Sequence, residues 1–168
     1  MRWRNVIILV LVLVVIQAVL HRLVGRLLPD LLLMTAVVLV LRSVGHDALI
    51  AAWLLGVFKD LITEAPLGAY ALAFGLTALA LTWLRELLYR ENILGLILVT
   101  FLSAVFVEEL VLAWSIFRDR ISGDNWGSIT VAILIGAALT AAIAPYGQWL
   151  LLKLRYWLGW TQRKRYGD

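Results

Sequence analysis

Ile93-Leu94-Gly95-Leu96-Ile97-Leu98-Val99-Thr100-Phe101-Leu102-Ser103-Ala104-Val105-Phe106-Val107-Glu108-Glu109-Leu110-Val111-Leu112-Ala113-Trp114-Ser115-Ile116-Phe117 is one unbroken apolar run whose only charged residues are Glu108 and Glu109. Its reading decides the fold. A bilayer core about 30 Å thick is crossed by roughly 20 predominantly apolar helical residues, so this stretch is a membrane span. Its two carboxylates sit where a bare charge costs about 2.5 kcal/mol or more, which makes them candidates for a role. Adjacent helical residues point about 100° apart, so one glutamate can face the bundle while the other faces elsewhere.

The rest of the chain has the same texture. Hydrophobic residues make up 63% of the 168, and the charged 15% gather in short segments between apolar runs. The reading is an all-α integral membrane protein of about six transmembrane helices, one bundle over residues 1–158 and a basic cytoplasmic tail over 159–168. The net charge of +4 belongs to loops that set orientation, not to a nucleic-acid surface. With no cysteine, a disulfide frame, a thiolate metal site and a cysteine nucleophile are excluded. The histidines, His21 and His46, are expected in loops. Most of the eight tryptophans flank apolar runs, as interfacial belts do.

Met1-Arg2-Trp3-Arg4 before Val6 to Val15 imitates a secretory signal, but Gln17, His21 and Arg22 stand where a small-residue cleavage site belongs. The segment is read as an uncleaved first span, Asn5 to Leu23. Pro29-Asp30 opens the second, to Leu41: the carboxylate caps free amides, and proline lacks a donor that would be orphaned there. The third is placed at Ala48 to Ile62, the fourth from Pro66 to near Trp83, a charged loop at Arg85 to Glu91, and the sixth at Ser128 to Leu158. No internal repeat is found. Apolar stretches two and three cover only about half the bilayer core at about 1.5 Å per residue. Either polar groups dip into the membrane at their ends, or the pair is a re-entrant hairpin buried among other helices. Pro145 predicts a kink in span six, or a span followed by an interfacial helix.

With the N-terminus inside, Arg2, Arg4, Arg42, Arg85, Arg90, Lys153, Arg155, Arg163, Lys164 and Arg165 fall on the inner side. Only Arg22, Arg26, Lys59, Arg118 and Arg120 fall outside. This bias predicts both termini inside and the tail on the inner surface. It also gathers Asp30, Lys59, Asp60, Glu108 and Glu109 in the outer half of the membrane, with Lys59 as counter-ion. Such a cluster either pairs helices or meets a partner.

Enzymatic signatures are missing: no histidine pair at helical spacing for zinc, no phosphate-binding Gly-rich loop, no aspartate array for magnesium. Intramembrane proteases of the CAAX-processing type need an arginine four residues after the second glutamate, and Ala113 stands there. No metal or cofactor is expected. Ala132, Gly136, Thr140 and Ala144 on span six, and Ala71 and Gly75 on span four, recur every four residues and let helices approach closely. Trp149, Tyr156, Trp157 and Trp160, interleaved with Lys153 and Arg155, have the pattern of an interfacial helix.

The order of features carries a resemblance. A first span leads to Pro29-Asp30-Leu31-Leu32-Leu33, then Gly56-Val57-Phe58-Lys59-Asp60-Leu61, Pro66-Leu67-Gly68-Ala69-Tyr70-Ala71-Leu72, the charged loop, and a glutamate in the fifth span. From about Asn5 to Tyr156 the chain resembles MreD, the small integral membrane protein of the bacterial rod-shape system. The resemblance implies Pro29, Asp30, Gly56, Asp60, Pro66, Leu67, Gly68 and Glu109 as characteristic residues. Lys59 departs from it, replacing an apolar residue and offering to neutralise Asp60. The resemblance further implies a non-enzymatic scaffold in the inner (cytoplasmic) membrane, contributing to cell shape and peptidoglycan synthesis. It would partner MreC and, through it, RodA, a penicillin-binding transpeptidase and MreB. It also implies likeness to the substrate-binding subunits of ECF-type vitamin transporters. The alternative function is therefore a small-molecule-binding subunit of such a transporter, although the first span lacks the Ala-x-x-x-Ala step expected for coupling. A third, an intramembrane hydrolase, lacks its metal ligands.

Overall fold

In a computed structural model, residues 3–24, 29–42, 46–63, 65–88, 93–118 and 126–154 are described, and they form helices without strands. The helices are α1 (Trp3–Val24), α2 (Leu31–Arg42), α3 (His46–Ile62), α4 (Ala69–Leu88), α5 (Ile93–Phe117) and α6 (Trp126–Lys153). In lipid each backbone amide and carbonyl must be paired within its own segment, which overrides the poor helix propensity of the Val- and Ile-rich α1. Three stretches, Arg4–Arg22, Ile93–Phe117 and Gly127–Lys153, are long and apolar enough to cross a membrane.

The short second span has a structural reason. α2 has 12 residues, and every residue from Leu32 to Leu41 is buried. It is the hub of the bundle, packed against all five other helices. A helix enclosed by protein need not match the bilayer's thickness. α1 is peripheral, with Ile7, Leu11, Val12, Val15 and Val19 exposed, as lipid-facing side chains are.

α3 and α4 form the tightest pair. A Cβ at Gly56 would lie 2.6 Å from the Tyr70 carbonyl oxygen and 2.8 Å from the Ala71 Cα, so hydrogen is the only side chain that fits between these backbones. The small face foreseen on span four, Ala71 and Gly75, is turned to α3: a Cβ at Gly75 would touch Trp53.

Some boundaries differ from those read in the sequence. α4 continues through Arg85 and Glu86 to Leu88 because neither residue breaks a helix; residues 89–91 of the expected loop lie outside the described residues. α6 runs continuously through Pro145 and ends at Lys153, so no separate interfacial helix begins before that point. His21 and His46 are helical, in the last turn of α1 and at the start of α3. Of the expected interfacial aromatics, Trp149 is exposed with the Lys153 ammonium 5.2 Å from its ring centroid. Tyr156, Trp157, Trp160 and the tail lie outside the described residues, as does Arg26.

Candidate functional site

Three loop-proximal helix ends and the interiors of three long helices meet in one polar layer. Asp30 precedes α2, and its Oδ1 accepts the Leu33 amide at 3.0 Å, capping one of the four donors a helix start leaves unpaired. The Leu31 amide is taken by Gln17 Oε1 of α1 at 3.1 Å, while Gln17 Nε2 donates to the Pro29 carbonyl at 3.3 Å. The Asp30 amide donates to Thr140 Oγ1 of α6 at 2.9 Å. Gln17 and Thr140 thus hold the Pro29-Asp30 turn from two sides.

The other Asp30 oxygen, Oδ2, accepts Lys59 Nζ at 2.5 Å. The same ammonium donates to Glu108 Oε1 of α5 at 2.8 Å and lies 3.9 Å from the centroid of the Tyr70 ring. Tyr70 Oη donates in turn to Glu108 Oε2 at 3.1 Å. Lys59, 6% exposed, is therefore surrounded by two carboxylates and an aromatic face. Removing charges from water is costly, and mutual attraction offsets that cost only with good geometry and further hydrogen bonds.

Asp60 has a different task. Its Oδ1 accepts the Tyr70 amide at 2.9 Å, and its Oδ2 accepts those of Gly68 at 3.1 Å and Ala71 at 3.0 Å. The Ala69 amide bonds to the Pro66 carbonyl at 3.1 Å. One carboxylate from α3 and one proline carbonyl thus satisfy the start of α4, where a negative charge also suits the helix dipole. Gly68 has φ +91°, a left-handed conformation that favours glycine, which explains Pro66-Leu67-Gly68 as a turn. Leu67 is 75% exposed at its tip.

The layer is deep. Thr140 follows the first residue of α6 by fourteen positions, about 21 Å at 1.5 Å per residue; Glu108 precedes the last residue of α5 by nine, about 14 Å. Both turns therefore reach well down the long helices, so the short helices start inside the bundle, not at its rim.

Asp30, Lys59 and Glu108 are brought together, and Asp60 is adjacent in sequence but bonded elsewhere. Lys59 does not neutralise Asp60: its ammonium reaches Asp30 and Glu108, and Asp60 is occupied by amides. Glu108 and Glu109 part company as adjacent helical residues must. Glu109 is half-buried and makes no hydrogen bond or ion pair among the described residues. Gly56 and Pro66 serve the α3–α4 junction, and Pro29 the turn before α2. Three contributors were not singled out as polar-site residues in the sequence. Gln17 carries the one signal that was present, an amide in an otherwise apolar span. Tyr70 and Thr140 read there as motif filler and packing. No group of three or more metal-ligating side chains occurs among the described residues.

An all-helical bundle with apolar outer faces and a paired ionic layer at its centre is an integral membrane protein whose internal charges hold its own helices together. A family model described as rod shape-determining protein MreD matches residues 1–123, and the chain belongs to that family. Its members are structural proteins that determine rod shape. No curated protein and no solved structure matches the chain.

Proposed function

We propose that the chain is a non-enzymatic scaffold of the bacterial cell-elongation complex in the cytoplasmic membrane, with both termini in the cytoplasm, and that it binds MreC. Through MreC it would be linked to RodA, a penicillin-binding transpeptidase and MreB, and so to peptidoglycan synthesis. The family match over residues 1–123 carries this reading. The polar layer is consistent with it: each carboxylate of Asp30, Asp60 and Glu108 is occupied by Lys59, Tyr70 or a backbone amide, which suits a preformed shape and leaves no free acid–base pair.

Co-expression with MreC from the same cell and purification in mild detergent tests the reading. Recovery of MreC on the tagged chain at near-equal amounts is expected; recovery no better than with an unrelated six-helix membrane protein overturns it.

The vitamin-transporter reading has less support. The apolar cleft between α2, α3 and α4, lined by Leu33, Val37, Val40, Ala52, Phe74 and Thr77, is too tightly filled to admit even a water molecule, whereas ligand pockets begin at roughly 300 Å³.

A further inference from the structure

Glu109 stands apart from the layer just described. It lies on the outward stripe of α5, in register with Leu98, Leu102, Phe106 and Ala113, which repeat at three- and four-residue steps on one face. Leu98 and Leu102 are 54% exposed and Phe106 48%, and Ala113 is exposed as well. The stripe is therefore unpartnered and apolar except for one carboxylate. Glu109 precedes Phe117, the end of α5, by eight residues, about 12 Å. The 25 residues of α5 span about 38 Å, so a helix centred on a core of about 30 Å puts Glu109 roughly 8 Å inside the hydrocarbon.

A carboxylate at that depth is costly unless a cation meets it. Lys59, the cation that meets the neighbouring Glu108, is already held by Asp30 and Glu108. We propose that the outward stripe of α5 docks a transmembrane helix of a partner protein that carries a lysine or arginine at the depth of Glu109. The apolar residues supply close packing, and the single ion pair in a low-dielectric surround fixes depth and partner choice. This deepens the scaffold reading and rests on it, because it specifies how such a scaffold would select a membrane-spanning partner.

The test uses the full chain in phosphatidylcholine vesicles, labelled at Gly127→Cys, with synthetic Leu/Ala-rich single-span peptides bearing arginine, leucine or glutamate eight residues from the outer end. Energy transfer reports association. The arginine peptide is expected to bind about fivefold more tightly than the leucine peptide. Glu109→Gln should abolish that difference, and Glu109→Lys should move the preference to the glutamate peptide. Equal binding of arginine and leucine peptides overturns the proposal, as does a preference that survives Glu109→Gln. If Glu109→Gln weakens all three peptides alike, the carboxylate serves the bundle or lipid headgroups and the proposal also fails. Unchanged thermal unfolding of the Glu109→Gln chain checks that folding is not the cause. The scaffold reading has its own readout. Equal binding of the arginine and leucine peptides by the unaltered chain, with rod-shaped cells on the Glu109→Gln chain, rejects the α5 face alone; rod shape persisting after deletion of the whole chain rejects the scaffold.

Discussion

At the residue scale, Lys59 decides whether the polar layer holds. Its ammonium is bonded to two carboxylates from different segments, Asp30 before α2 and Glu108 in α5. Removing one member of a buried ionic group leaves the others uncompensated, whereas replacing the whole group by neutral side chains is often close to neutral. Lys59→Met is therefore expected to destabilise the protein by about 3–5 kcal/mol, read as a fall in unfolding temperature in detergent. Combining it with Asp30→Asn and Glu108→Gln should recover most of that loss. A triple variant as unstable as Lys59→Met would show that the lysine stem's packing, not its charge, matters. The sequence marked Asp30, Lys59 and Glu108 as ionisable groups within spans. It gathered them with Lys59 as counter-ion but did not say which carboxylates Lys59 meets, since separations in sequence say nothing about which helix faces touch.

At the element scale, glycines with similar sequence surroundings have opposite roles. Gly56 is where α3 and α4 touch backbone to backbone. Gly136 has nothing within 4 Å of where a Cβ would sit. Gly56→Ala forces two helix backbones apart and should cost about 1–3 kcal/mol. Gly136→Ala should be neutral or stabilising by up to about 1 kcal/mol, the ordinary gain from filling a helix interior with alanine. Thermal unfolding of both variants side by side checks the contrast. The four-residue repeat on span six was legible in the sequence, but its division of labour was not. Thr140 and Ala144 are buried, and Thr140 also bonds to the turn before α2, while Gly136 adjoins open space. A periodic stripe identifies a narrow helix surface, and only the neighbours decide which part of it is used.

For the whole molecule, the charge bias along the chain predicts both termini inside, and with them the start of α6 outside. The lack of cysteine makes this directly measurable. A thiol introduced at Gly127, exposed at the start of α6, should react with an impermeant maleimide in intact spheroplasts. One introduced at Thr161 should react only after lysis. The reverse pattern would invert the topology and put the polar layer in the inner half of the membrane. The alternation of helix directions supports a common end for the two turns: the C-terminal half of α1, the end of α3 and the starts of α2 and α4 converge on the layer through Gln17, Lys59, Asp30 and Tyr70.

The sequence by itself determined a helical membrane protein, the limits of α5, the Pro29-Asp30 helix start and the residues that had to be explained. Long apolar runs have only one backbone solution in lipid, and a charge within them is visible without knowing the fold. The tertiary structure alone decided that α2 is an enclosed hub, that Asp60 caps α4 instead of pairing with Lys59, and that Glu108 turns inward while Glu109 does not. These outcomes depend on which helix faces are brought within hydrogen-bonding reach, and that is a property of packing between segments distant in the chain.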